Sequence, residues 1–143
     1  MRSGRRIALA IALVVAITTI ACNRAGSSPT ATMKAYFEAF QKKDAEGLKK
    51  TLSKGTLDMF EQFAKAQNPP KTIDEALKTG LANTTNSTPD KMPEMKDEKI
   101  EGDKATLQVK FENGNWETIP FVKEDGAWKI AFDEMLRKQS PRS

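Results

Sequence analysis

At 143 residues, with a formal charge of +4, no histidine and one cysteine, this chain has room for a single domain of modest core. One cysteine excludes an internal disulfide, and without histidine neither a Cys/His zinc cluster nor histidine-based acid–base chemistry can be built. Arg2, Arg5 and Arg6 precede the first apolar run, leaving 20 basic against 19 acidic residues beyond it, so the basic footprint that nucleic-acid binding needs is missing.

Residues 1–21 read as an export leader: a short basic head, then an apolar run from Ile7 to Ala21. Fifteen residues fall short of the roughly 20 that span the hydrocarbon core as a helix. The run stops at Cys22, and Thr19-Ile20-Ala21-Cys22 resembles the bacterial lipobox, with Thr19 standing where that motif usually carries an aliphatic residue. The resemblance implies that Cys22 is lipidated and that the leader is cut before it. The protein is then expected in a bacterial cell envelope, held to a membrane by its N-terminal lipid and facing the periplasm or the outer surface. One acyl chain binds a bilayer only marginally, whereas two or more, at about 0.8 kcal/mol per buried CH₂, anchor it stably. The small polar residues that follow give an expected flexible tether over 22–32.

Helical periodicity follows. Met33, Tyr36, Phe37 and Phe40 recur at i, i+3, i+4 and i+7, one apolar stripe, with Lys34, Glu38, Gln41 and Lys42 facing outward. Asp44 is a suitable N-cap for a short second helix carrying Ala45, Leu48 and Leu52, with Gly55 expected to close it. Thr56 is expected to cap a third helix bearing Leu57, Phe60, Phe63 and Ala64, broken at Pro69-Pro70. Thr72 with Glu75 fits a capping box for a fourth helix ending near Gly80.

Residues 83–93 are polar and turn-rich, a loop between helical and sheet halves. Met95 to Glu101 is weakly strand-like. Its acidic residues Glu94, Asp97, Glu98 and Glu101 suit a solvated face better than a calcium loop. From Lys104 to Phe132, three apolar-rich runs are joined by Asn113-Gly114 and Asp125-Gly126, dipeptides that accept the positive φ of hairpin turns. Ala105, Leu107, Val109 and Phe111 alternate with Thr106, Gln108 and Lys110, and Trp128, Ile130 and Phe132 repeat the pattern. Pro120 lacks a backbone donor, which predicts an edge strand or a bulge there. The expected fold class is α+β, with N-terminal helices covering one face of a curved antiparallel sheet over 33–132, and a tail at 133–143.

The segments MKAYFEAFQKKDAEGLKKTLS and VKEDGAWKIAF resemble the opening helices and closing strands of the nuclear-transport-factor-2-like superfamily, and more narrowly a lipoprotein-associated domain of unknown function within it. The resemblance implies a cone with an apolar pocket at its open end. Tyr36, Phe40, Trp116, Phe121 and Trp128 are the residues expected to line it. Relatives in that superfamily include isomerases and dehydratases as well as binding and dimerising domains, so fold alone does not name an activity.

No acidic residue falls at an inward position of the alternating strand runs. Glu112, Glu117 and Asp133 qualify only if the facing differs. No catalytic residue, metal or cofactor is therefore expected. The function expected is a non-catalytic, membrane-anchored module that binds a small apolar ligand or an envelope protein. The alternatives are an isomerase-like or hydrolase-like enzyme in the cone and a domain that forms a homodimer as a spacer.

Overall fold

The computed structural model describes residues 25–84 and 90–139; the expected leader and Cys22, the expected lipidation site, lie outside them. Its elements run α1 (Pro29–Gln41), α2 (Ala45–Thr51), α3 (Lys54–Lys65), α4 (Ile73–Asn83), β1 (Met95–Glu101), β2 (Lys104–Lys110), β3 (Trp116–Glu124), β4 (Ala127–Ile130) and α5 (Phe132–Gln139). The strands form one antiparallel sheet in chain order, and the helices cover one face of it. The expected α+β class is the observed one.

Local chemistry explains most helix ends. Ser28 accepts from the Ala31 N–H at 3.0 Å and Pro29 starts α1, where its missing donor costs nothing. Asp44 caps α2 through the Gly47 N–H, and Thr72 and Glu75 form the expected capping box on α4, which continues past Gly80 to Asn83. The third cap differs from expectation. Ser53, not Thr56, starts α3, which places Gly55 inside its first turn and frees the Thr56 hydroxyl for contacts with the far end of the chain. Phe63, expected on the inner side of α3, is exposed.

The packed domain reaches back into the stretch expected to be a loose tether. The Gly26 carbonyl accepts from the Trp128 N–H at 2.9 Å, and a Cβ at Gly26 would lie 2.9 Å from that of Ala127. Thr32 is fully buried, and its hydroxyl lies 2.9 Å from the Ser28 carbonyl and 3.0 Å from that of Trp128. At the other end, Phe132 does not continue β4 but opens α5, whose acidic first turn and basic last turn match the helix dipole.

The sheet explains itself strand by strand. β2 buries Ala105, Leu107 and Val109 and turns Thr106, Gln108 and Lys110 to the other face. Asp125 (φ 51°) and Gly126 (φ 78°) both take positive φ, the two-residue turn that matches strand twist. Between β2 and β3 only Gly114 has positive φ, and the Gly114 N–H bonds the Phe111 carbonyl, so a five-residue loop replaces the expected tight turn and Phe111 is left exposed. Pro120 lies in a central strand with unbroken β2 register, contrary to the edge or bulge expected. Its nitrogen points with its carbonyl toward β4, whose last pair is Phe121 with Ile130, so no ladder donor is needed there.

Two apolar clusters result. Met33, Phe37, Leu52, Leu107, Val109, Ile119, Phe121, Trp128 and Ile130 fill the space between α1 and the sheet, and Ala39, Ala45, Leu48 and Leu81 join α1, α2 and α4. Tyr36 packs against both.

Candidate functional site

The five residues expected to line a common pocket are not gathered around one. Tyr36 and Phe40 stack with ring centroids 6.4 Å apart where α1 meets the second cluster. Phe121 and Trp128 are buried in the sheet core, and Phe121 also borders a cavity of about 250 Å³ beside Lys104 and Glu134. Trp116 faces the other side of the sheet. It pairs with Lys110, one of the outward residues of β2, and carries the Lys96 ammonium 4.0 Å from its ring centroid. Residues 116 and 121 are an odd number apart, so period two alone places them on opposite faces of one strand.

The space between α1 and the sheet, where the pocket was expected, is occupied by the main cluster, whose sheet residues Leu107, Val109, Ile119 and Ile130 are at most 1% exposed. The larger recess lies at the rim. A groove of about 370 Å³ has Phe37, Met92, Pro93 and Phe111 as its apolar lining, with Lys91, Glu94, Lys110 and Glu112 around it. Its volume lies at the lower end of the roughly 300–1,000 Å³ range of small-molecule sites. Glu94 and Lys110 pair across the rim at 3.0 Å, and in solvent such a pair contributes little stability. Sequence reasoning missed this groove because it assigned Met92 to a polar loop and Phe111 to the core. An apolar Met-Pro step inside an otherwise polar loop was the available signal.

The carboxylates named from the sequence take separate places. Glu112 is exposed at the groove, and Glu117 is exposed at the start of β3. Asp133 is half-buried and fully engaged. The Thr56 hydroxyl lies 3.0 Å from its Oδ1, the Ser53 hydroxyl 3.2 Å, and Arg137 donates to its Oδ2 at 2.6 Å. This cluster pins α5 to the start of α3. A carboxylate held through both oxygens by three donors is a structural clasp, and Asp133 is not part of the groove lining. Glu98 has a comparable role, accepting from the Thr30 N–H and hydroxyl at the start of α1, at 2.9 and 2.5 Å. Among the described residues no group of three or more His, Cys, Asp or Glu could hold a metal ion, and no helix is long and apolar enough to cross a membrane.

Burial raises the Tyr36 pKa, because the tyrosinate is poorly solvated between Phe37, Phe40 and Phe132. Neutral Tyr36 therefore stabilises the fold fully below the unfolded tyrosine value of about 10, and this contribution is lost as pH rises through the folded pKa. Tyr36 is the sole tyrosine, so phenolate absorbance reports it alone. Its titration midpoint is expected above that of the denatured chain. Coincident midpoints would show that the ring is solvated.

Comparison with known proteins gives a family. The model of a domain of unknown function, DUF4878, matches residues 21–131. No curated protein matches. A crystal structure from Campylobacter jejuni, described as a "Putative NTF2-like transpeptidase", is similar at 15% identity and a TM-score of 0.43, covering 73% of this chain and 98% of that one. With the family model spanning most of the chain, including all four helices that precede the sheet and the sheet itself, this protein belongs to the DUF4878 family of domains of unknown function.

Proposed function

We propose that this protein is a lipid-anchored envelope lipoprotein whose domain binds an apolar group without transforming it, in the groove of Phe37, Met92, Pro93 and Phe111. The observation that carries this reading is the groove itself. Its walls are apolar, two of its side chains, Met92 and Phe111, are more than a third exposed, and its charged groups stand around the apolar lining. Such a lining gains affinity from burial at roughly 25 cal/mol per Å². It suits a small apolar ligand or one apolar side chain of an envelope protein. General acid–base catalysis requires a tunable group near the reacting proton. Glu94 is paired with Lys110, and Asp133 is held in its clasp away from the groove. Anchoring through Cys22 is supported by the resemblance of residues 19–22 to a lipobox.

The groove is tested with a soluble form beginning at Asn23 and an uncharged apolar fluorophore. Phe111→Ser removes the ring from the groove wall, and losing roughly 60 Å² of apolar contact with the ligand at ~25 cal/mol per Å², about 1.4 kcal/mol, is a tenfold weaker Kd. Trp116→Ser, whose ring is outside the groove lining, is expected to leave Kd unchanged. Equal binding by the parent and Phe111→Ser places the ligand elsewhere. Turnover of an ester or an isomerisable ketone that disappears in Glu94→Gln would establish the enzyme reading instead.

A further inference from the structure

We infer that the face formed by α1 and α2 rests on the lipid headgroups, and that the groove therefore opens toward the aqueous side. The inference rests on the reading that Cys22 carries the lipid, and it adds an orientation to it. Gly26 is fixed to β4 by its bond from Trp128 and by the close approach of Ala127. Its neighbour Ala25 lines a recess of about 190 Å³ between the two helices, with Glu38, Lys42, Asp44 and Lys50. Two residues, Asn23 and Arg24, separate Cys22 from Ala25, and a fully extended chain spans at most about 3.3–3.6 Å per residue step, so over three steps the lipidated residue lies within ~11 Å of the recess in any conformation. A headgroup layer is roughly 5–8 Å deep on each side of the hydrocarbon core. A link of this length cannot carry the domain away from the surface, and it brings the side where it is attached closest.

Charge does not explain the contact. Lys42 and Lys50 are offset in the recess by Glu38 and Asp44, so the recess itself has no strong pull on anionic lipid. The link acts instead by effective concentration, which salt does not screen. The groove looks elsewhere. Phe37 lines it and Ala39 lines the recess, and two residues along a helix of 3.6 per turn are about 200° apart around its axis. An occupant of the groove would then arrive from the aqueous compartment and not from the bilayer.

The full-length lipoprotein, reconstituted in vesicles of phosphatidylethanolamine and phosphatidylglycerol doped with a headgroup nitroxide lipid, tests this orientation. Lipidation consumes the thiol of the sole cysteine, so an introduced cysteine is the only one that takes a fluorophore. Quenching at Lys50→Cys is expected to exceed that at Glu112→Cys several-fold, and to persist at high salt. A flexible Gly-Ser insertion between Arg24 and Ala25 is expected to bring the two positions together. Equal or reversed quenching in the parent, with palmitate present on the protein, overturns the orientation while leaving the lipoprotein reading intact. Quenching that collapses in salt overturns the short-link argument. Purified protein without palmitate removes the anchor and the orientation together.

Discussion

Truncating Trp128 to alanine is expected to cost about 3–5 kcal/mol, the usual range for a large core aromatic, against a total stability of roughly 5–15 kcal/mol for a domain of this kind. Two features set the upper part of that range. The ring is 5% exposed and packs with Ile130, Phe121 and Met33 in the main cluster. The cavity left by truncation would sit between α1 and the sheet, where rigid elements on both sides limit collapse. Trp116→Ala is the matched comparison. Its ring lies on the opposite face, over a third exposed, and its removal is expected to cost within about 1 kcal/mol. Chemical denaturation of both variants separates the two faces of the sheet. Equal midpoints would mean that the assigned facing is wrong.

Replacing Cys22 with serine is expected to abolish palmitate labelling and to stop cleavage before residue 22. The thiol is the atom on which a lipoprotein's acyl groups are assembled, and a hydroxyl at that position does not substitute for it. Two or more chains, at about 0.8 kcal/mol per buried CH₂, give stable anchoring, and without the thiol none is attached, so the loss is large and not graded. The uncut leader, with its apolar run from Ile7 to Ala21, can still associate with membranes, so fractionation alone does not decide the matter. Labelling and the size of the product do. Labelling that survives in Cys22→Ser would sink the lipoprotein reading. The domain itself should be unaffected, because its packing begins at Gly26 and its core lies entirely beyond that residue.

The chain by itself determined the features that depend on neighbours in sequence. The Asp44 cap, the Thr72–Glu75 capping box and the Asp125-Gly126 turn are each closed by atoms within a few residues, so composition suffices to place them. The alternation in β2 likewise determined which of its side chains are buried, because successive residues of a strand must face opposite ways. Tertiary structure decided what depends on where those elements end and what they meet. Phe111 continues the inward parity of β2, yet the strand stops at Lys110 and the five-residue loop carries the ring out to the groove. Ser53, not Thr56, caps α3, and the Thr56 hydroxyl so freed reaches Asp133, a residue 77 positions away that no local pattern can anticipate. Pro120 fits a central strand only because β4 ends beside it. The groove unites Phe37 of a helix with Met92 and Phe111 of two loops. Period and propensity describe each element alone, and a site built at the meeting of three becomes visible only once long-range packing has brought them together.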